Sequence, residues 1–375
     1  MELVFFATAA KGVEEVLADE IRRLGVSEVV LEKGGVRFKG DMATCYRANL
    51  WLRTAHRILM PIAEFPCETP QHLYDGVRSV RWQDYLNPDI TLAVTCNLRD
   101  SKITHSGFAA LKTKDAIVDA IRDSFGRRPD VDTRAPGLLV NVHLVRNYCT
   151  ISLDTSGISL DKRGYRLDRN EAPLRETLAA AMIELCGWDG STPLVDPMCG
   201  SGTIPVEAAL KACRRAPGLT RQSFGFQRWP SFDSLTWSNV LQEAQEQARH
   251  SLPVPILGYD LSGRSLELAR QNVQRAGVGG LVTFCQAGIG EWSPPASPGI
   301  LLCNPPYGVR LGEEEALQSL YKKLGDTLKR SFTGYAAYVL TGNPRLASCI
   351  GLKPSRRIVL FNGAIECRLL RYELY

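Results

Sequence analysis

Pro193-Leu194-Val195-Asp196-Pro197-Met198-Cys199-Gly200-Ser201-Gly202-Thr203 is the stretch that decides the fold. A short apolar run ends in an acid, a glycine pair follows, and a helix begins near Ile204. That is strand, tight turn and helix, the opening unit of a doubly wound α/β sheet. Gly200 and Gly202 lack Cβ atoms, so the backbone turns sharply and a ligand can approach it closely. No Lys follows to make a triphosphate cradle, and Pro205 stands where a dinucleotide fingerprint needs its third glycine. What remains is Asp196 at the strand tip, placed to meet a cationic group such as the amino end of a methionine moiety. Met198, Cys199 and Thr203 share the turn and are candidate contacts for the same ligand.

Downstream, Pro255-Ile256-Leu257-Gly258-Tyr259-Asp260 reads as a second strand tipped by a carboxylate. An acid there suits the two hydroxyls of a ribose. Leu261 follows it, and Leu266, Leu268, Ala269, Val273 and Ala276 give a helical apolar face that stops at Gly277. A third strand, Leu281-Val282-Thr283-Phe284-Cys285, leads into Gln286-Ala287-Gly288. A fourth, Ile300-Leu301-Leu302-Cys303, runs directly into Asn304-Pro305-Pro306-Tyr307.

That tetrad carries the chemistry. Ligands of open α/β sheets bind beyond the carboxyl ends of the strands, and the tetrad follows such a strand at once. An exocyclic amine on a nucleobase is a poor nucleophile because its lone pair is delocalised into the ring. The Asn304 side-chain oxygen and the Pro305 carbonyl can each accept one amine proton. Together they favour a tetrahedral nitrogen and aim its lone pair at an incoming methyl. Pro305 and Pro306 have fixed φ and no N–H, so the loop is stiff and its carbonyls are pre-aimed. Tyr307 offers a face on which an extruded base can stack.

In this order of motifs the chain resembles the class I S-adenosylmethionine-dependent amino-methyltransferases. Within them it is similar to the bacterial large-subunit ribosomal RNA guanine-N2 methyltransferases of the RlmL type. The likeness rests on Asp161-Lys162-Arg163-Gly164-Tyr165-Arg166, Ala172-Pro173-Leu174-Arg175-Glu176-Thr177-Leu178-Ala179-Ala180, and Asn304-Pro305-Pro306-Tyr307-Gly308 with Arg310-Leu311-Gly312. It implies that Asp196, Gly200 and Gly202 line the methionine end of the cofactor, that Asp260 holds its ribose, and that Asn304 to Tyr307 hold the target base. The family usually has an acid at the tip of the third strand, against the adenine, where this chain has Gly288. Adenine contact then falls to Gln286, to backbone groups, or to a shifted residue.

A chain of 375 residues exceeds one comfortable core and implies two or three domains. Its 45% hydrophobic and 23% charged residues are those of a soluble globular protein. No apolar run approaches the roughly 18 residues of a membrane helix. Leu3 to Ala10 follows Glu2 and no basic region, so it reads as a buried strand rather than a signal peptide. The 11 cysteines show no C-x-x-C spacing and the histidines no metal-ligand spacing, so neither a disulfide framework nor a metal is expected. Core cysteines such as Cys149, Cys285 and Cys303 fit a reducing compartment, the cytoplasm. Net charge is only +5, so RNA binding must rest on local patches.

The expected architecture is α/β: a C-terminal class I, Rossmann-like methyltransferase domain with a seven-stranded sheet over 165–375, preceded by two α+β units. Residues 1–65 read as strand, helix, hairpin, helix and strand, a ferredoxin-like subdomain. Residues 66–164 resemble a THUMP domain, an RNA-binding module. This unit has a strand at Thr91–Cys96, a helix over Lys114–Phe125, and strands at Leu138–Leu144 and Tyr148–Leu153 about Asn147. Its candidate RNA-facing residues are Arg99, Lys102, His105, Lys112 and Lys114. In the linker, Lys162, Arg163 and Arg166 flank Tyr165, which suits either a phosphate-and-stacking contact or a hinge packed on both domains. An insertion over Cys213–Asp233 carries four arginines and four aromatics and is too long for a plain crossover.

The leading expectation is methylation of a guanine N2 amine in ribosomal RNA, 23S first, as naked RNA or in a pre-ribosomal particle. A transfer RNA guanine-N2 methyltransferase and a DNA adenine-N6 methyltransferase are the rivals. The DNA reading is weakened by the RNA-like N-terminal half and the lack of a helix-turn-helix signal. A non-catalytic assembly factor with a relic cofactor fold stands last.

Overall fold

The computed structural model describes residues 2–166, 174–308 and 314–375. It contains two seven-stranded sheets. The first is built from β1 (Leu3–Thr8), β2 (Val29–Glu32), β3 (Gly35–Gly40), β4 (Arg57–Pro66), β5 (Leu92–Arg99), β6 (Leu138–Val145) and β7 (Tyr148–Asp154), in the order β2-β3-β1-β4-β7-β6-β5. Helices α1 (Glu14–Arg23), α2 (Met42–Trp51), α3 (Pro70–Arg78) and α4 (Ser106–Phe125) pack with it. Alternation along β6, with Leu138, Val140, Val142 and Leu144 buried and their neighbours more exposed, is what a sheet with one core face requires.

Strand β4 joins the two N-terminal units. Its start pairs with β1 and its length with β7, with a bulge between Pro61 and Ala63 where proline has no N–H to give. The units expected at 1–65 and 66–164 therefore share one continuous sheet. Helix α4 begins at Ser106, eight residues before the expected Lys114 (114 − 106), because His105 caps it: its Nδ1 accepts from the Phe108 N–H at 2.9 Å.

The second sheet comprises β8 (Leu194–Asp196), β9 (Ile256–Asp260), β10 (Val282–Gln286), β11 (Gly299–Cys303), β12 (Tyr335–Thr341), β13 (Arg356–Asn362) and β14 (Ile365–Glu373), in the order β10-β9-β8-β11-β12-β14-β13. Strands β8 to β12 are parallel, while β14 runs antiparallel to both β12 and β13, and the hairpin turns at Asn362-Gly363 as expected. Helices α5 (Glu176–Leu185), α6 (Thr203–Ala212), α7 (Ser234–Glu246), α8 (Gly263–Arg275), α9 (Glu314–Ser331) and α10 (Pro344–Cys349) complete this half. Strand order reverses between β8 and β11, so the ligand crevice opens at the tips of those two strands. Val195 pairs with Leu301, which brings Asp196 and Asn304 out at the same edge.

The insertion forms two short 3₁₀ turns, Pro217–Thr220 and Gly225–Arg228, and belongs to the core of the N-terminal sheet. Phe224 and Phe226 stack at 5.4 Å between ring centroids, Tyr46 of α2 lies 4.4 Å from Phe226, and Trp237 of α7 meets Phe226 edge-on at 5.2 Å. Each such ring buries on the order of 150–250 Å². The insertion is thus a strap that ties the catalytic half to the N-terminal half. Arg221 donates to the carbonyls of Ser159 at 3.0 Å and Lys162 at 2.8 Å, and Arg228 to that of Ala135 at 2.8 Å.

Candidate active site

The glycine turn is held from three sides. The Cys199 N–H donates to the Tyr259 carbonyl at 2.9 Å, the Gly200 N–H to Asp260 Oδ2 at 2.9 Å, and Asn272 Nδ2 of α8 to the Ser201 carbonyl at 3.0 Å. Gly202 has φ +81, and a Cβ there would meet Ala269 Cβ at 3.0 Å, so α6 can start this close to α8 only from a glycine. Asp260 also accepts the Ser262 N–H at 2.8 Å. Its oxygens keep lone pairs for further donors while fixing the distance between the two strand tips.

Asp196 is 2% exposed and, among the described residues, accepts only the Met198 N–H, at 3.2 Å. Burial pushes its carboxyl well above the usual carboxylate range, the Met198 N–H pulls back, and the neighbouring Asp260 adds to the rise. Among the described residues no cation pairs with it, so a positively charged ligand group fits beside it. Cys199 is buried next to both acids and its thiol is pushed up by burial first and by those charges second. It stays protonated and is no nucleophile.

Gln286 is exposed at the tip of β10, and its Nε2 donates to the Leu261 carbonyl at 2.9 Å. Leu261 is 69% exposed beside it. The Gly288 N–H donates to Glu291 Oε2 at 2.7 Å. A Cβ at position 288 would approach Leu261 Cδ2 to 3.3 Å and Glu291 Oε2 to 3.6 Å, so glycine leaves that edge open with a carboxylate beside it.

Across the crevice, Asn304 Oδ1 is buried and accepts no hydrogen bond among the described residues. Buried acceptors are rarely left unpaired, so this one has room for a hydrogen-bond donor supplied by a ligand. Pro305 is buried and Pro306 exposed. Tyr307 is half-buried. Its ring lies against Gly342 after β12, where a Cβ would come within 3.0 Å of it, and its hydroxyl accepts from Asn362 Nδ2 at 2.8 Å and Cys367 Sγ at 3.6 Å. Burial raises the pKa of this phenol, so it is neutral. The hairpin turn at Asn362, legible only as a turn, therefore also orients the tetrad tyrosine.

The basic residues separate into two groups. Arg99, Lys102 and His105 are exposed near the end of β5 and the start of α4. Arg99 pairs with Asp100 at 3.0 Å and Lys102 with Glu68 at 2.7 Å, while the His105 ring is spent as a helix cap. Lys112 sits 4.5 Å from the Tyr74 ring centroid, and Lys114 pairs with Asp115. Lys162 is exposed, but Arg163 is 2% exposed and is not an RNA contact. Its guanidinium donates to the Leu160 carbonyl at 2.7 Å and to the Arg53 carbonyl, and faces Glu207 of α6 at 3.4 Å. The Tyr165 hydroxyl donates to the same Glu207 at 3.1 Å. Arg166 is nearly buried too, bound to Thr203 Oγ1 and 3.5 Å from Glu176. Tyr165 is fully buried, so the stacking reading fails, and the described part of the linker, 161–166, packs between the two halves. Ala172-Pro173 and Arg310-Leu311-Gly312 lie outside the described residues.

One buried group was illegible in the sequence. Arg53 donates to the Leu210 and Arg215 carbonyls at 3.1 and 2.9 Å, at the end of the helix that begins on the glycine turn. The N-terminal half thereby grips the cofactor helix.

A doubly wound sheet with a glycine turn, two acid-tipped strands and Asn-Pro-Pro-Tyr at the switch point defines a class I methyltransferase. A family model described as "RMKL-like, methyltransferase domain" matches residues 163–371, a RlmL ferredoxin-like domain matches 4–59 and a THUMP domain matches 67–154. A protein of Synechocystis sp. named, by assignment, as an RNA methyltransferase is 43% identical over 99% of this chain and 97% of its own length. The Ribosomal RNA large subunit methyltransferase K/L of Syntrophotalea carbinolica is 46% identical over 99% of this chain, which spans 53% of that relative's length. Among solved structures, SMU.472, assigned as a methyltransferase and complexed with SAH, superposes at TM-score 0.91 with 34% identity over 100% of this chain and 98% of that one. A Listeria monocytogenes protein described as a predicted N6-adenine-specific DNA methylase does so at 0.91 and 34%, over 100% and 97%. The chain belongs to the RMKL-like methyltransferase family. Among the described residues no helix is long and apolar enough to cross a membrane.

Proposed function

We propose that this protein transfers a methyl group from S-adenosylmethionine to the exocyclic N2 amine of a guanine in large-subunit ribosomal RNA, 23S. The carrying observation is the buried, unpartnered Asn304 Oδ1, set at the β11 tip beside an acid-lined crevice. The cofactor, when bound, supplies an activated methyl on a sulfonium with a good leaving group. Asp196 holds its amino end, Asp260 its ribose hydroxyls, and Leu261 with Gln286 and Glu291 the edge of its adenine. Asn304 Oδ1 and the Pro305 carbonyl accept the two amine protons, which turns the nitrogen lone pair toward the crevice. Extruding the base costs a few kcal/mol, and stacking on Tyr307, about 1–3 kcal/mol, recovers part of it. The amine sheds its proton after transfer, so positioning does most of the work.

Support for RNA over DNA comes from the THUMP match and from the names of the K/L relatives. A ribosomal RNA substrate implies work in the cytoplasm, consistent with cysteines that are all free among the described residues. The test is mass mapping of 23S ribosomal RNA, transfer RNA and DNA from a deletion strain. One lost N2-methylguanine in 23S RNA, restored by the wild-type chain, is expected. A loss confined to transfer RNA or to N6-methyladenine in DNA contradicts the assignment.

A further inference from the structure

The carboxyl edge of the catalytic sheet continues past the tetrad. Beyond β11 the next tip is that of β12, and against it and the β13–β14 hairpin lies a cavity of about 610 Å³. It is on the far side of the tetrad from the glycine turn, since the cofactor strands β8 to β10 all lie the other way. Gly342 at its rim is the residue against which the Tyr307 ring packs. The floor includes Leu370 and Tyr372, which is 1% exposed and whose hydroxyl has no partner among the described residues.

Three cations line this cavity: Lys353, Arg357 and Arg368. All three are exposed, and among the described residues none has an ion pair or a side-chain hydrogen bond. Glu366 is the one acid in the same lining. The pattern contrasts with other surface cations, many of which have found acids, as Lys39 has Glu28 at 2.7 Å and Arg47 has Glu243 at 3.2 Å. Arg368 is opposite Thr341 in the β12–β14 ladder and opposite Val359 in the hairpin, so its side chain starts at the mouth near the tetrad. Arg357 starts two residue pairs further down the same hairpin.

We propose that this cavity is a subsite for the ribose-phosphate of the nucleotide adjacent to the methylated one. An extruded base on Tyr307 drags its two flanking phosphates to the sheet edge, and one flank is occupied by cofactor. The other opens on Arg368, Arg357 and Lys353, which carry the fork-shaped and point-charge donors that phosphodiesters take. The apolar floor accommodates the sugar. The subsite rests on the proposed RNA substrate, but its test separates the two.

The test uses the full chain, an unmodified in vitro 23S transcript, and the variants Arg357→Ala, Arg368→Ala, their double, and Arg368→Lys. RNA affinity is read by filter retention at several salt concentrations, KM and kcat by labelled-methyl transfer, and cofactor affinity by calorimetry with S-adenosylhomocysteine. The double variant should weaken RNA binding roughly tenfold or more and flatten the slope of log affinity against log salt by about 0.7 for each phosphate no longer neutralised. Cofactor affinity should be unchanged, the loss should fall on KM for RNA, and Arg368→Lys should restore most of it. RNA affinity, KM and salt slope identical to wild type in the double variant overturn the subsite, even with methyl transfer intact. A wild-type chain that binds the transcript through these arginines yet methylates no guanine overturns the function and leaves the subsite standing.

Discussion

Replacing Asp196 by Asn should move cofactor affinity and apo-protein stability in opposite directions. The carboxyl is 2% exposed, accepts one backbone N–H at 3.2 Å, and has Asp260 as a like-charged neighbour. Without ligand, ionising it is costly, and its pKa is therefore raised by burial. For an acid whose folded pKa lies above its unfolded value, the folded state holds the proton more tightly. Folding stability is then greatest below the unfolded pKa and falls as pH rises from there through the folded pKa. Asn has no charge to bury, so at neutral pH Asp196→Asn should raise the apo melting temperature, and the gain should vanish in acid. A charge-assisted hydrogen bond to an ammonium is worth about 1.5–3 kcal/mol, so the same change should weaken S-adenosylmethionine binding by roughly ten- to 150-fold. Binding an ammonium also favours the ionised carboxylate, so wild-type affinity should decline as pH falls through the raised pKa, and the variant's should not. Calorimetry over a pH series together with thermal scans reads all of this. Unchanged affinity in the variant, or a lower apo melting temperature at neutral pH, refutes the assignment of Asp196 to the cationic end of the cofactor.

Arg53→Ala removes the donor to two buried carbonyls and leaves Glu207 with less buried positive charge, so chemical denaturation should show a stability lower by about 3–5 kcal/mol. Tyr307→Phe should cost about 1 kcal/mol of stability, through the missing Asn362 bond, while keeping most activity, whereas Tyr307→Ala should lose both, as single-turnover assays would show. A fragment lacking residues 1–165 should aggregate or bind a hydrophobic dye, because Phe224, Phe226, Trp229 and Trp237 lose the core they share with the N-terminal sheet. A soluble, cooperatively melting fragment would argue against the strap.

What the sequence disclosed follows from how local each signal is. The β8 turn, the acid at the tip of β9 and the tetrad after β11 are contiguous strings whose chemistry is set by neighbours, and all three emerge at one edge of the sheet. The closing hairpin was legible because Asn-Gly dictates its own turn. Arg163 and Tyr165 were ambiguous because basic residues around an aromatic look alike in an RNA contact and in a buried hinge. Their burial against Glu207, on a helix 44 positions away from Arg163, decides between them. The insertion was likewise opaque, since its partner, Tyr46, lies on α2, which packs with the other sheet. The shared strand β4 hid the continuity of the N-terminal sheet, because one run of residues serves two units whose patterns read separately.

Single-turnover transfer of labelled methyl to 23S ribosomal RNA from a strain lacking the enzyme, comparing wild type with Asn304→Ala, tests the role of the buried acceptor at the switch point. In the proposed mechanism Asn304 Oδ1, unpartnered among the described residues, accepts from the target amine with a bond that strengthens as the nitrogen becomes tetrahedral, so the loss should fall on the chemical step. By analogy with removal of one oxyanion-hole donor, about 3–4 kcal/mol is at stake, a rate lower by roughly a thousandfold with cofactor and RNA affinities little changed. An Asn304→Ala protein that transfers methyl at the wild-type rate contradicts the mechanism.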